Sequence, residues 1–112
     1  MTKEARIFTS PTKGNILPIG TVFKFKGSAI EYVVIENASV RSDSYDGPYY
    51  FHGITCITSV DLMNNEPNPK EKMFYYPHSS MCMGDPMRDY YVVALIKKPI
   101  IRTNTTVYSL GE

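Results

Sequence analysis

The sequence predicts an all-β domain: a small barrel or sandwich of about six short, mostly antiparallel strands. Three observations carry that expectation. Runs rich in β-branched and aromatic residues recur at short intervals, and such residues suit a pleated, half-buried surface. Gly, Pro, Asn, Asp and Ser punctuate those runs as turn formers. No segment holds a sustained helical period between caps.

The elements follow in order. Residues 1–18 are polar and carry Pro11, Gly14 and Pro18, so they read as an irregular N-terminal arm, with 19–112 as one β domain. Thr21 to Lys26 alternates, Phe23 and Phe25 on one face against Lys24 and Lys26 on the other. Gly27-Ser28 is a turn signal, and EYVVIE at Glu31–Glu36 returns as the second arm of a hairpin. Residues 37–48, rich in Ser, Asp and Gly, read as a mobile loop. Tyr49 to Leu62 is the next strand candidate. NNEPNPKEK at 64–72 has little to bury and reads as a surface connection, followed by a short strand at Met73–Tyr76 that Pro77 ends. Residues 79–88, with Gly84 and Pro86, read as irregular, with room for one helical turn near residue 80. DYYVVALIK at Asp89–Lys97 is apolar on both faces, which predicts a central, doubly covered strand. Ile100 to Tyr108 is Thr-rich and reads as a final edge strand. The expected core is Phe23, Val34, Ile54, Val92 and Leu95.

Length and charge set bounds. A chain of 112 residues holds one core of useful size. A net charge of +1 disfavours a long duplex nucleic acid as partner, because that binding needs clustered Lys and Arg. No stretch has the apolar length that spans a bilayer, and the first residues have no signal-like apolar core, so a cytoplasmic location is expected, with Cys56 and Cys82 as free thiols.

The pattern YYxHxxxC occurs twice, at Tyr49–Cys56 and Tyr75–Cys82, and uses both histidines and both cysteines of the chain. Four such residues could hold one zinc ion. On a strand, however, His52 and Cys56 stand four residues apart, about 13 Å, and zinc holds its ligands at about 2.0 to 2.3 Å. That spacing chelates on a helical turn, and GITC with its β-branched residues is a poor helix. Coincidence or a weak repeat of two β segments is favoured over a metal site, and no metal or cofactor is expected. A pairing of His52 with His78 across neighbouring strands is geometrically open.

The stretch HSSMCMGDPMRD at 78–89 gathers His, Ser, Cys, Asp and Arg. Nucleophilic catalysis needs a nucleophile, a base in reach and an orienting third group, and sequence proximity does not supply that geometry. The sequence has no G-x-S-x-G, P-loop, G-x-G-x-x-G or H-E-x-x-H pattern. A binding protein is therefore expected, with no catalytic residues assigned, and a small enzyme using the His78–Arg88 loop is the alternative.

LPIGTVFKFKG at 17–27, followed by EYVVIE at 31–36, resembles the opening hairpin of small β-domain accessory proteins of tailed phages. The RDYYVV run at 88–93 resembles a closing strand in some of them. The resemblance covers about a quarter of the chain. It implies a counter-defence protein in a host cytoplasm, one that sequesters a nucleotide-like ligand or blocks a host protein; apart from the resemblance, a homo-oligomer is expected. For a nucleotide, Tyr49, Tyr50, Tyr75 and Tyr76 offer ring faces, with His52 and His78 beside them and Arg88 for phosphate. A protein-binding β module that uses the edge strand Ile100–Tyr108, for strand addition or homodimerisation, is the other reading.

Overall fold

The computed structural model describes residues 17–45, 47–76, 79, 84–103 and 107–111. Among these residues, eight strands and one short helix follow one another: β1 (Thr21–Phe25), β2 (Tyr32–Ser44), β3 (Gly47–Thr58), α1 (Ser59–Met63), β4 (Lys72–Tyr75), β5 (Asp85–Pro86), β6 (Tyr90–Leu95), β7 (Ile100–Thr103) and β8 (Val107–Leu110). Six strands form a curled, mixed sheet like half a barrel, in the order β5-β4-β3-β2-β1-β6, and β7 pairs with β8 as a separate ribbon. All pairings are antiparallel except β4 with β5. The predicted all-β class holds.

Alternation along β1 and β2 divides the apolar residues between the two faces of this sheet. Phe23, Phe25, Tyr32 and Val34 point to one side, where they join Ile54, Cys56, Phe74, Tyr76 and Tyr90. Val22 and Val33 point to the other, where Ile57, Leu62 of α1 and Tyr108 of β8 cover them. The first core is an aromatic cluster. The Phe74 ring centroid lies 5.0 Å from that of Phe25 and 5.2 Å from that of Tyr32, both edge to face, the geometry that ring quadrupoles favour. Much of the chain's Tyr and Phe content is thus spent on packing.

Local chemistry explains the joints. Thr58 ends β3 and caps α1, its hydroxyl accepting from the Asp61 N–H at 3.2 Å. Gly53 lies where β3 meets β4. A Cβ there would collide with the Phe74 carbonyl and sit 2.5 Å from Cζ of Phe51, so only glycine lets the Phe51 ring lie across it. Val93 has no partner on β1, since Val22 pairs with Ala94 and Phe23 with Val92. This β-bulge puts Val92 and Leu95 on one face.

The structure corrects several expectations. Residues 37–44 are strand, not loop: β2 and β3 stay paired from Tyr32–Thr58 out to Ser44–Gly47. The Tyr49–Leu62 strand stops at Thr58, where α1 begins. Asp89–Lys97 is not central. β6 ends the sheet order, and Val92 and Leu95, expected in the core, are 51% and 52% exposed. Apolar side chains on both faces reflect an inner end set into the sheet, where Tyr90 and Tyr91 are buried, and an outer end facing solvent. Ile100–Tyr108 is two strands paired with each other. The arm at 1–16 and the helical turn near residue 80 fall outside the described residues.

Candidate functional site

The hairpin of β2 and β3 aligns polar and aromatic residues in facing pairs. Ser39 stands opposite His52 and Arg41 opposite Tyr50. Ser39 Oγ is 3.0 Å from His52 Nδ1. The Tyr50 and His52 rings are 4° from parallel with centroids 6.3 Å apart, as two residues apart on one strand face allow. The Arg41 guanidinium lies 5.9 Å from the Tyr50 centroid and pairs with Asp43 at 3.2 Å. That ion pair is well exposed, so it holds Arg41 weakly. The row offers one cation beside two parallel rings.

The other predicted site residues scatter. Tyr49 is half-buried and alternates with Tyr50, on the opposite face. Tyr75 is half-buried and pairs with Gly53. Tyr76 is fully buried and presents no ring face to a ligand; its hydroxyl accepts from the Leu17 N–H at 3.0 Å. Burial pushes its phenol up from the usual range, an effect the Leu17 bond partly offsets. Arg88 is exposed, with its guanidinium 4.4 Å from the centroid of the buried Phe25 ring, where it caps the aromatic core by a cation–π contact. His78 lies outside the described residues, as does Cys82.

In the first YYxHxxxC copy, Cys56 is fully buried in the aromatic core and His52 is part-exposed. Desolvation drives the Cys56 thiol far above its ordinary value, so it stays protonated. Among the described residues no group of three His, Cys, Asp or Glu is placed to hold a metal ion. Ser79, from the loop weighed for catalysis, is tied to backbone: the His52 N–H donates to its Oγ at 2.9 Å, and its hydroxyl donates to the His52 carbonyl at 2.8 Å. Asp85 of the same loop pairs with Lys72 at 3.2 Å.

Two further surfaces emerged that the sequence reading missed. An open depression of about 590 Å³ lies between the β1–β2 turn and α1, lined by Ile30, Glu31, Ser59, Val60 and Asp61 among others. Its two carboxylates suit a phosphate poorly, and none of the predicted site residues lines it. The second surface is the β6 edge. Tyr90–Leu95 carries no charge and no proline, devices that commonly protect an edge. Val92 and Leu95 stand out half-exposed on one face, with Asp89 before the strand and Lys97-Lys98 after it. The bulge at Val93, noted above, is the only such protective device in the strand. The signal that could have found Arg41 was the Asp46-Gly47 dipeptide, which in sequence marks a hairpin between the flanking runs. Among the described residues no helix is long and apolar enough to cross a membrane. No family model, curated protein or solved structure matches the chain.

Proposed function

We propose that the chain is a protein-binding β module that accepts an extended segment of a partner along β6. The observation that carries this reading is the half-exposed pair Val92 and Leu95 on an uncharged terminal strand of the sheet. Strand addition draws affinity from main-chain hydrogen bonds and specificity from alternate side chains. The reading agrees with the expected phage-type inhibitor that blocks a host protein. The test is capture of partner proteins from a lysate of cells expressing the chain, by wild type and by Val92→Lys, with hydrogen exchange of the Tyr90–Leu95 amides read in the captured complex. Protection of those amides, and loss of capture by the variant with its circular dichroism unchanged, are expected. Capture that Val92→Lys leaves intact, with β6 amides still exchanging, refutes the proposal.

A second reading rests on the parallel Tyr50 and His52 rings with Arg41 beside them. These groups fit a planar anion such as a nucleotide, with ring faces for the base and the guanidinium for phosphate. A nucleotide that raises the thermal midpoint of wild type but not of Tyr50→Ala or Arg41→Ala supports it. No shift across nucleoside mono-, di- and triphosphates refutes it.

A further inference from the structure

We infer that the strand β6 accepts is β6 of a second copy of this chain, paired antiparallel about a two-fold axis at the Val93–Ala94 bulge. The inference rests on the edge-strand reading above and names the partner. Three observations converge on it.

The first is placement. Val92 pairs with Phe23 and Leu95 with Thr21, while Val93 is the extra residue. The bulge therefore brings Val92 and Leu95 to the same face, although three residues separate them. In an antiparallel self-pairing centred on the bulge, Val92 stands across from the second copy's Leu95, and Leu95 across from its Val92. Each half-exposed apolar side chain then covers the other. A regular strand would put these residues on opposite faces, and that match would be lost.

The second is charge. Asp89 precedes the strand and Lys97-Lys98 follows it, and all three are exposed. Antiparallel pairing puts the acid of one copy beside the bases of the other, at both ends. Parallel pairing would align acid with acid and base with base. The sign pattern is thus complementary to itself in one direction only, and such complementarity fixes register and excludes wrong partners. Arg88, the neighbouring cation, is drawn over the Phe25 ring at 4.4 Å on the core side.

The third is the form of the edge. Lys26 N–H donates to the Asp89 carbonyl and Ile96 N–H to the Gly20 carbonyl, at 2.9 and 2.8 Å. Pairing with the β1 side therefore holds the chain in strand conformation from Asp89 to Ile96, bent only at the Val93 bulge. A two-fold contact uses one patch twice, so a short, pre-ordered edge suffices for both halves of the interface. Two six-stranded sheets would then run on as one.

Sedimentation or light scattering over a concentration series tests this on the full chain. Wild type is expected to dimerise with rising concentration. Val92→Lys and Leu95→Lys are expected to be monomeric with unchanged circular dichroism. Asp89→Lys is expected to weaken the dimer by about tenfold or more, because like charges then meet at both ends. The triple variant D89K/K97D/K98D restores opposite signs and is expected to recover dimerisation, which a merely structural role for Asp89 would not produce. A wild type that stays monomeric, or a dimer indifferent to Val92→Lys, overturns the inference. A monomeric wild type whose partner capture still depends on Val92 removes the second copy as occupant while edge addition stands. A dimer lost in Val92→Lys with capture retained removes edge addition to a foreign partner while self-pairing stands.

Discussion

Truncating two valines by the same two carbon groups should separate the inside of this fold from its edge. Val34 is fully buried on β2, beside the register shift at Ile35, among aromatic rings. Val92 is 51% exposed on β6. Burial contributes about 0.8 kcal/mol per methylene-sized group, so Val34→Ala forfeits about 1.6 kcal/mol of transfer free energy. The surrounding rings cannot close the gap fully, and the cavity left behind raises the loss to about 2 to 3 kcal/mol. Val92→Ala removes carbon already half in water and leaves no cavity, so its loss is about 0.8 kcal/mol. For a domain of this size, 1 kcal/mol moves the thermal midpoint by about 4 to 8 °C. The expected falls are therefore roughly 10 to 20 °C for Val34→Ala and roughly 3 to 6 °C for Val92→Ala. Urea titrations followed by circular dichroism, at a dilution where the chain is monomeric, supply the free energies, and an unchanged slope shows that both variants unfold the same surface. Equal losses at the two positions would mean that β6 is covered on both faces and is not an edge.

Three further outcomes are expected. Gly53→Ala should destabilise by about 1 to 3 kcal/mol, as overpacking does, because the new methyl meets the Phe74 carbonyl and the Phe51 ring; an unshifted denaturation midpoint would contradict that contact. Tyr76→Phe leaves the Leu17 N–H without its acceptor and should cost about 1 to 3 kcal/mol, with faster amide exchange at Leu17 as the specific readout. Burial raises Cys56, Tyr76 and Tyr90 above their ordinary values, so the folded chain keeps protons that the unfolded chain releases. Stability from these groups is complete near neutral pH, starts to fall as pH rises through about 8.5, where an unfolded thiol is half ionised, and falls further through the ordinary tyrosine range near 10. Urea midpoints from pH 7 to 11 check this, and a midpoint that climbs above pH 9 would reverse the sign.

Legibility in the sequence followed burial. The β1–β2 hairpin was readable because Phe23 and Phe25 alternate with lysines and every second residue of YVV enters the same core. Residues 37–44 were opaque because, among the described side chains of the outer hairpin, few are buried, so Ser, Asn and Asp stand where apolar residues would announce a strand. The five-residue α1 is too short to display a helical period; its Thr58 cap was visible only as a polar residue in a β-rich run. β6 misled for a different reason. Apolar content does not tell which surface, if any, covers a residue, and Val92 and Leu95 are only half-covered within this chain. At the candidate site, Tyr50 and His52 were found as neighbours on a strand, but Arg41 joins them only through cross-strand register, which residue types alone do not fix. Tyr76 and Arg88 show the reverse: residues of binding chemistry spent on holding and capping the core.

The two apolar clusters on opposite faces of one sheet divide the molecule's cooperativity. The aromatic cluster is closed by strands of the six-stranded sheet with Leu17 and Met87. The second depends on Leu62 of α1 and on the β7–β8 ribbon, which is fastened by Tyr108 in the apolar layer and by its hydroxyl, donating to Glu71 at 3.2 Å. Lifting the ribbon uncovers Val22, Val33 and Ile57 without breaking a rung of the larger sheet. The ribbon and the sheet are thus separate opening units, of the kind that exchange amide hydrogens in tiers below the global unfolding free energy. In mild denaturant the amides of β7 and β8 should exchange ahead of those in β1, β2 and β3. The species so exposed, an intact sheet with one bare apolar face, is where aggregation of this chain would begin.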